Sequence, residues 1–167
     1  IAAREGEART AAKALRDSIE WTLAADMPDE RSIFAWLKNA ESRVESVASK
    51  SSEATIRAAT TRVSGIYQRH YQAHGSISPS AAIAQYDGNN LTVWSHAQGM
   101  YPLRAGIAHV LNMDIAHVRC VHHEASGCYG HNGADDAACD AAAIAIHFPG
   151  KPCRLHWERG DESTWEP

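Results

Sequence analysis

The stretch Gly127-Cys-Tyr-Gly-His-Asn-Gly-Ala-Asp-Asp-Ala-Ala-Cys-Asp-Ala-Ala-Ala-Ile-Ala145 places three glycines within seven residues and then runs into an alanine-rich segment. Glycine lets the backbone turn through positive φ and lets another group approach without a Cβ in the way. The alanine-rich segment has the composition of a helix, and the first turn of a helix presents unpaired N–H groups and the positive end of a dipole. A strand-like run, His117–His123, feeds the loop. Strand, glycine loop and helix Ala134–His147 read together as a turn that cradles a ligand. The spacing fits neither common phosphate loop: no Lys-Ser/Thr pair closes it, and the glycine order is not that of a dinucleotide fold.

Moving towards the N-terminus, Ala81–Tyr86 and Leu91–Ser95 alternate as strands around the hairpin turn Asp87-Gly-Asn-Asn90. Leu91 and Val93 are expected to face the core, with Thr92 and Trp94 on the other side. Pro102 is expected at the first helical position of Pro102–Asn112, with Leu103, Ile107, Val110 and Leu111 on one face. Beyond the alanine helix, the turn Pro149-Gly150 leads to a strand over Cys153–Trp157. Strands interleaved with helices predict an α+β fold, a mixed β-sheet with helices packed on it.

The first third has another texture. Glu7 to Leu23 predicts a helix whose apolar positions Ala8, Ala11, Ala12, Leu15, Ile19 and Leu23 share a face. Asp26-Met-Pro-Asp-Glu30 breaks it at Pro28. A second helix is expected after Ser32, carrying Ile33, Leu37, Ala40, Val44 and Val47 on one side. The Ser-rich run Ala48–Thr55 reads as a linker. Thr61–Tyr71 alternates loosely like a strand.

With 167 residues the chain has room for one domain with a real core, or one domain and the remnant of another. A net charge of −4 gives no polyanion-binding surface, so nucleic acid is not an expected partner. No apolar run approaches the length of a membrane span. Four scattered cysteines, Cys120, Cys128, Cys139 and Cys153, make no disulfide framework, and cytoplasmic and periplasmic locations both stay open. The chain opens on Ile1 and stops at Trp165-Glu-Pro167, ends expected of a piece of something longer.

Gln98 follows a strand and precedes a helix, in Ser95-His-Ala-Gln-Gly-Met-Tyr-Pro102. An amide there can donate to a ligand oxygen while Gly99 lets the loop come close; equally, it can satisfy loop carbonyls. Asp135 and Asp136 suit the start of a helix by complementing its dipole. His70, His74 and His96 read as ordinary buried or surface histidines, although the stretch Tyr67–His74 could border the same pocket. A rival reading assembles zinc from Cys120, His122, His123, Cys128 and His131 and makes the chain a non-catalytic binding or interaction module. Against it, Cys120 and His122 share one strand face with His123 opposite, and no Cys-x-x-Cys pair exists.

Four blocks carry a more specific signal: Val93–Arg104, Glu124–Asp136, Pro149–Leu155 and Trp157–Glu162. Together they resemble the molybdopterin-binding large subunit of the xanthine dehydrogenase and aldehyde oxidase family. The wording is most similar to the nicotinate dehydrogenase-like branch, with Gly-Cys-Tyr-Gly-His-Asn-Gly where the wider family has Gly-Gly-Phe-Gly-Gly-Lys-Glu. The resemblance implies that residues 1–25 are the tail of a preceding small α+β domain and 26–60 a helical connection and linker. Residues 61–167 would be the first part of the molybdenum-cofactor-binding domain.

It further implies a molybdopterin-type cofactor, in the plain or cytosine dinucleotide form, contacted by Gln98, Gly99, Gly127, Cys128, Tyr129, Gly130, His131 and Asn132. In the family the glutamine donates to a metal oxo group, the aromatic residue lines the substrate side and the glycine backbone packs on the pterin. Gly133 stands where xanthine-oxidising members carry a glutamate, which argues against a purine bound by a carboxylate at that position. The implied activity is oxidation of an aldehyde or an N-heteroaromatic ring, a small-molecule substrate. The implied partners are the remainder of the large subunit and an iron–sulfur domain or subunit that carries electrons away. The general-base glutamate of the family would lie beyond Pro167, so the chain alone is expected to be inactive.

Overall fold

The structure, a computed structural model, describes residues 1–22, 28–47 and 53–166. They divide into two compact units, Ile1–Arg69 and His70–Pro167.

The first unit contains three short helices, α1 (Glu5–Ser18), α2 (Ile33–Asn39) and α3 (Glu53–Ala58), none of which buries a residue. Helix α1 is favoured locally: Glu5 and Glu7 sit in its first turn, Arg16 in its last, and Arg9 pairs with Glu5 at 3.2 Å. It stops short of the expected end, because Ile19 leaves the helical region at φ −80°, ψ 127°; Leu23 lies outside the described residues. Helix α2 follows a 3₁₀ turn at Glu30–Ser32 and begins at Ile33 as expected. It is seven residues long, leaving Val44 and Val47 87% and 98% exposed rather than on a helical face. An apolar period does not sustain a helix unless another surface covers it. Helix α3 occupies the end of the expected linker, whose residues 48–52 are outside the described set.

The expected strand Thr61–Tyr71 is a correction. No strand forms there, and Val63, Tyr67 and Tyr71 are 92%, 95% and 86% exposed. Alternation specifies which side chains could share a face, but a strand also needs a neighbour to pair with.

In the second unit four strands, β1 (Ala81–Tyr86), β2 (Leu91–Ser95), β3 (Val118–His122) and β4 (Pro152–His156), form one mixed sheet in the order β3-β2-β1-β4. Strand β1 pairs antiparallel with β2 and β4, whereas β2 and β3 run parallel. Asp87 builds the hairpin turn by accepting from the backbone N–H groups of Asn89 and Asn90 at 2.8 and 2.7 Å. Those bonds hold its carboxyl below the usual carboxylate range. Along β2, Leu91 and Val93 are fully buried and Thr92 and Trp94 are half-buried on the opposite face, as the alternation predicts.

Helices α4 (Met100–Val110) and α5 (Ala134–Ala145) pack on the buried face of this sheet. Pro102 falls at the third helical position, a correction of two residues, with Gly99 as the cap. Proline is tolerated there because first-turn N–H groups have no intrahelical partner. Helix α4 ends in a left-handed residue, Asn112 at φ 50°, with Met113 N bonded to Ala108 O and Asn112 N to His109 O. The core is small-grained on the α5 side. Ala134, Ala137, Ala138, Ala141, Ala142 and Ala145 are all buried, so the helix backbone lies close against β1, β2 and β4. Leu91, Val93, Ile107 and Val118 fill the rest, each contributing about 1.5–3 kcal/mol of burial.

A final helix, α6 (Arg159–Trp165), was not anticipated. Its Arg159 guanidinium donates to Ser76 O and Ile77 O at 2.8 and 2.7 Å. Glu162 is fully buried and accepts from Ser80. Helix α6 thereby ties down the segment that enters β1.

Candidate functional site

Because β2 and β3 are parallel, with Ser95 opposite His122, the loops that follow them leave the same edge of the sheet. The first loop runs to Gly99 and into α4; the second carries Gly127–Asn132 into α5. Buried Ser95 joins them. Its hydroxyl donates to Ala134 O at 3.3 Å and accepts from Ala97 N at 3.2 Å.

Gln98 reaches across. Its Nε2 donates to Gly130 O at 2.7 Å and approaches Cys128 Sγ at 3.1 Å; the Cys128 thiol also donates to Gly130 O, at 3.2 Å. The two loops therefore converge through a side-chain to backbone bond between residues thirty-two apart in sequence. The same contact realises the plainer expectation for Gln98, that of a side chain satisfying a loop carbonyl. Gly99 caps α4 by accepting from Leu103 N at 3.0 Å.

The glycine loop turns through left-handed backbone at Gly127 (φ 93°), Tyr129 (φ 58°) and Gly130 (φ 145°). Its glycines are needed by the chain itself. A Cβ on Gly127 would collide with the Tyr129 ring, and one on Gly130 with the His74 ring. Gly133 caps α5 with ordinary φ, but a Cβ there would strike buried Trp157. Trp157 thus fills the space into which any side chain at 133 would project.

Asn132 is 4% exposed and accepts from Ala134 N at 3.2 Å through Oδ1, which fixes its amide orientation. Its Nδ2 is then a buried donor with no partner among the described residues. Exposed His131 pairs with Asp135 at 3.2 Å, which gives that carboxylate a partner within the helix turn. The loop is braced from behind by Ser126, whose carbonyl accepts from Ile77 N and whose hydroxyl accepts from Ser78 N at 2.9 Å.

A cleft of about 510 Å³ is lined by residues that include Trp94 and Arg154 and, from the start of the two loops, His96 and His123. His96 Nε2 accepts from Ala81 N at 3.2 Å, and burial pulls its pKa below the ordinary histidine value. Burial pushes Cys120 up to about 11 and raises Cys139 as well, so neither is a ready thiolate. No three Cys, His, Asp or Glu side chains cluster as a metal site among the described residues, which removes the zinc reading built on Cys120, His122, His123, Cys128 and His131.

The structure thus joins Gln98 with Cys128 and Gly130 and buries Asn132 behind them; Tyr129 and His131 lie exposed on the loop. Sequence reasoning missed Ser95, Ser126, Trp157 as a packing partner, Glu162 and the placement of His74. Each acts through a contact distant in sequence. His74 lay in a stretch noted as bordering the pocket and the others in blocks that carried the resemblance, but none of their contacts was legible.

Two linked loops at the C-terminal edge of parallel strands, backed by a helix N-terminus, define the class: an α+β domain organised around one sheet edge. Residues 37–166 match the molybdopterin cofactor-binding domain family, and the chain belongs to it. Among curated proteins it is 39% identical over 112 residues to a nicotinate dehydrogenase subunit of Pseudomonas putida, a match spanning 67% of this chain and 9% of that protein. Among solved structures, quinoline 2-oxidoreductase from Pseudomonas putida 86 aligns with 54% of this chain and 12% of its own, at TM-score 0.47 and 16% identity. Aldehyde oxidoreductase from Desulfovibrio gigas aligns with 57% and 10%, at TM-score 0.45 and 18% identity.

Proposed function

We propose that the His70–Pro167 unit forms one wall of a molybdopterin site in the large subunit of a molybdenum hydroxylase acting on an aldehyde or N-heteroaromatic substrate. The observation that carries this reading is the bond from Gln98 to Gly130, which brings the two family-signature loops to one place. The residues fit such a group. Asn132 Nδ2 is a buried donor lacking an acceptor at the start of a twelve-residue helix, and Gln98 is an exposed amide beside it on the same edge.

Gln98, Gly99 and the Gly127–Asn132 loop would hold the cofactor, in the plain or cytosine dinucleotide form. When bound, the cofactor would supply the oxygen-transfer and electron-accepting chemistry; the protein's share is orientation and hydrogen bonding. Gln98 fixes the position of the Gly130 peptide by donating to its carbonyl, with Cys128 Sγ beside the same amide nitrogen. Tyr129, 61% exposed, presents an aromatic ring beside it. Trp157 closes the space at Gly133, so no carboxylate recognises substrate from that position. Further parts of a large subunit and an iron–sulfur domain or subunit complete the enzyme in this reading.

The test is purification of the longer polypeptide that carries this segment, with molybdenum and pterin measured per chain. Stoichiometric molybdenum, lowered turnover in Gln98→Ala and unchanged thermal midpoint are the expected results. A polypeptide that folds but holds neither molybdenum nor pterin would sink the reading.

A further inference from the structure

His74 lies outside every motif that points to the glycine loop, yet its ring covers the Cα of Gly130. Its Nδ1 faces Glu166 Oε1 at 3.6 Å, where the Glu166 side chain is only 2% exposed. Glu166 is itself held, accepting from Gly75 N at 3.1 Å. The Glu166 carboxylate lies behind Nδ1 beyond hydrogen-bond distance, where its charge favours a proton on that nitrogen over one on Nε2. Nδ1 is buried without a hydrogen-bond partner, whereas Nε2 is not. The side chain is 32% exposed, and Cδ2 and Nε2 are the ring atoms that lie over Gly130. A carboxylate behind a histidine, with the far nitrogen open next to a strained loop, is an arrangement that orients an acceptor.

We propose that His74, oriented by Glu166, is a ligand-contacting residue of the glycine-loop site, its Nε2 accepting a hydrogen bond from an N–H or O–H of the bound molecule. The proposal rests on the reading of that loop as a cofactor site. The donor belongs either to the cofactor or to the substrate, and the experiment separates the two.

In the longer polypeptide, His74→Phe fills the space over Gly130 but offers no acceptor, and His74→Gln returns one near the position of Nε2. Loss of one hydrogen bond corresponds to about tenfold. His74→Phe is expected to lose roughly that factor in retained molybdenum and pterin if the cofactor supplies the donor. If substrate supplies it, KM rises by a similar factor at unchanged metal content. His74→Gln should stay within about threefold of the parent in the same parameter. Glu166→Gln keeps the Gly75 contact, removes the charge that sets the tautomer, and gives a smaller loss in that parameter.

Metal content and KM unchanged in both His74→Phe and Glu166→Gln would overturn the proposal. So would equal losses in the Phe and Gln variants, which mark packing alone. A parent polypeptide without molybdenum overturns the cofactor reading together with this inference. Losses confined to Gln98→Ala overturn only the role of His74.

Discussion

Ser80 gives both its backbone N–H and its hydroxyl to the buried carboxylate of Glu162, at 2.7 and 3.0 Å. The bond ties α6 to the start of β1 across eighty-two residues of sequence. Removing the acceptor strands a buried backbone donor. Glu162→Ala is expected to cost about 2–4 kcal/mol in urea unfolding of the 167-residue chain. Glu162→Gln should cost less. A double-mutant cycle with Ser80→Ala that yields no coupling would show the hydroxyl bond to be energetically idle.

Gly130 combines left-handed backbone with the His74 ring where a Cβ would go. Gly130→Ala should destabilise by about 1–3 kcal/mol from backbone strain, with the collision adding to it. His74→Ala in the Gly130→Ala background relieves the collision and leaves the strain, so recovery of thermal midpoint should be partial. Complete recovery would mean that φ carries no cost; none would mean that the ring moves aside freely.

Loop order should depend on Gln98. In Gln98→Ala, Gly130 loses the carbonyl bond from across the sheet edge but keeps that of the Cys128 thiol. Hydrogen exchange is expected to rise over residues 127–133 and stay unchanged in β1 and β2. A uniform rise across the sheet would make Gln98 a determinant of the whole fold rather than of the loop.

Two half-buried groups contribute to the pH window of the second unit. Burial raises Cys120 from 9.0 to about 11, with Arg104 partly opposing. Above pH 9 the unfolded chain releases a proton that the folded one retains, so this stability is complete below 9 and lost as pH rises towards 11. Desolvation depresses His96 below 6.5, reinforced by His122 and opposed by Glu162 and Asp135. The unfolded chain therefore takes up the proton first, and stability present above 6.5 declines as pH falls below it. Urea midpoints at three pH values check both limbs. Cys120→Ala should flatten the alkaline limb and His96→Gln the acid one; limbs unchanged by these substitutions would assign the dependence to other groups.

What the sequence disclosed follows from how local each signal was. The Asp87–Asn90 turn, the alternation in Leu91–Ser95 and the glycine-to-alanine junction at 127–145 are written in neighbouring residues, and all appear where expected. The meeting of Gln98 with Gly130 was inferable because parallel strands deliver their loops to one edge. Thr61–Tyr71 failed for the opposite reason: its period matched a strand, but nothing local supplies a pairing partner. The contacts of Glu162, Trp157 and His74 were not legible because their partners, Ser80, Gly133 and Gly130, lie far along the chain.

The alanine stripe on α5 carries a consequence for mutational surveys of this chain. Six alanines set how near the helix axis lies to the sheet, and the glycine loop is anchored to the end of that helix. Enlarging Ala138 or Ala142 to valine would lift the helix and carry the loop outward with it. A survey scored on function should find intolerant positions recurring every three to four residues along a helix that touches no ligand. Such a stripe, ordinarily taken for a contact surface, would here record the thickness of a spacer.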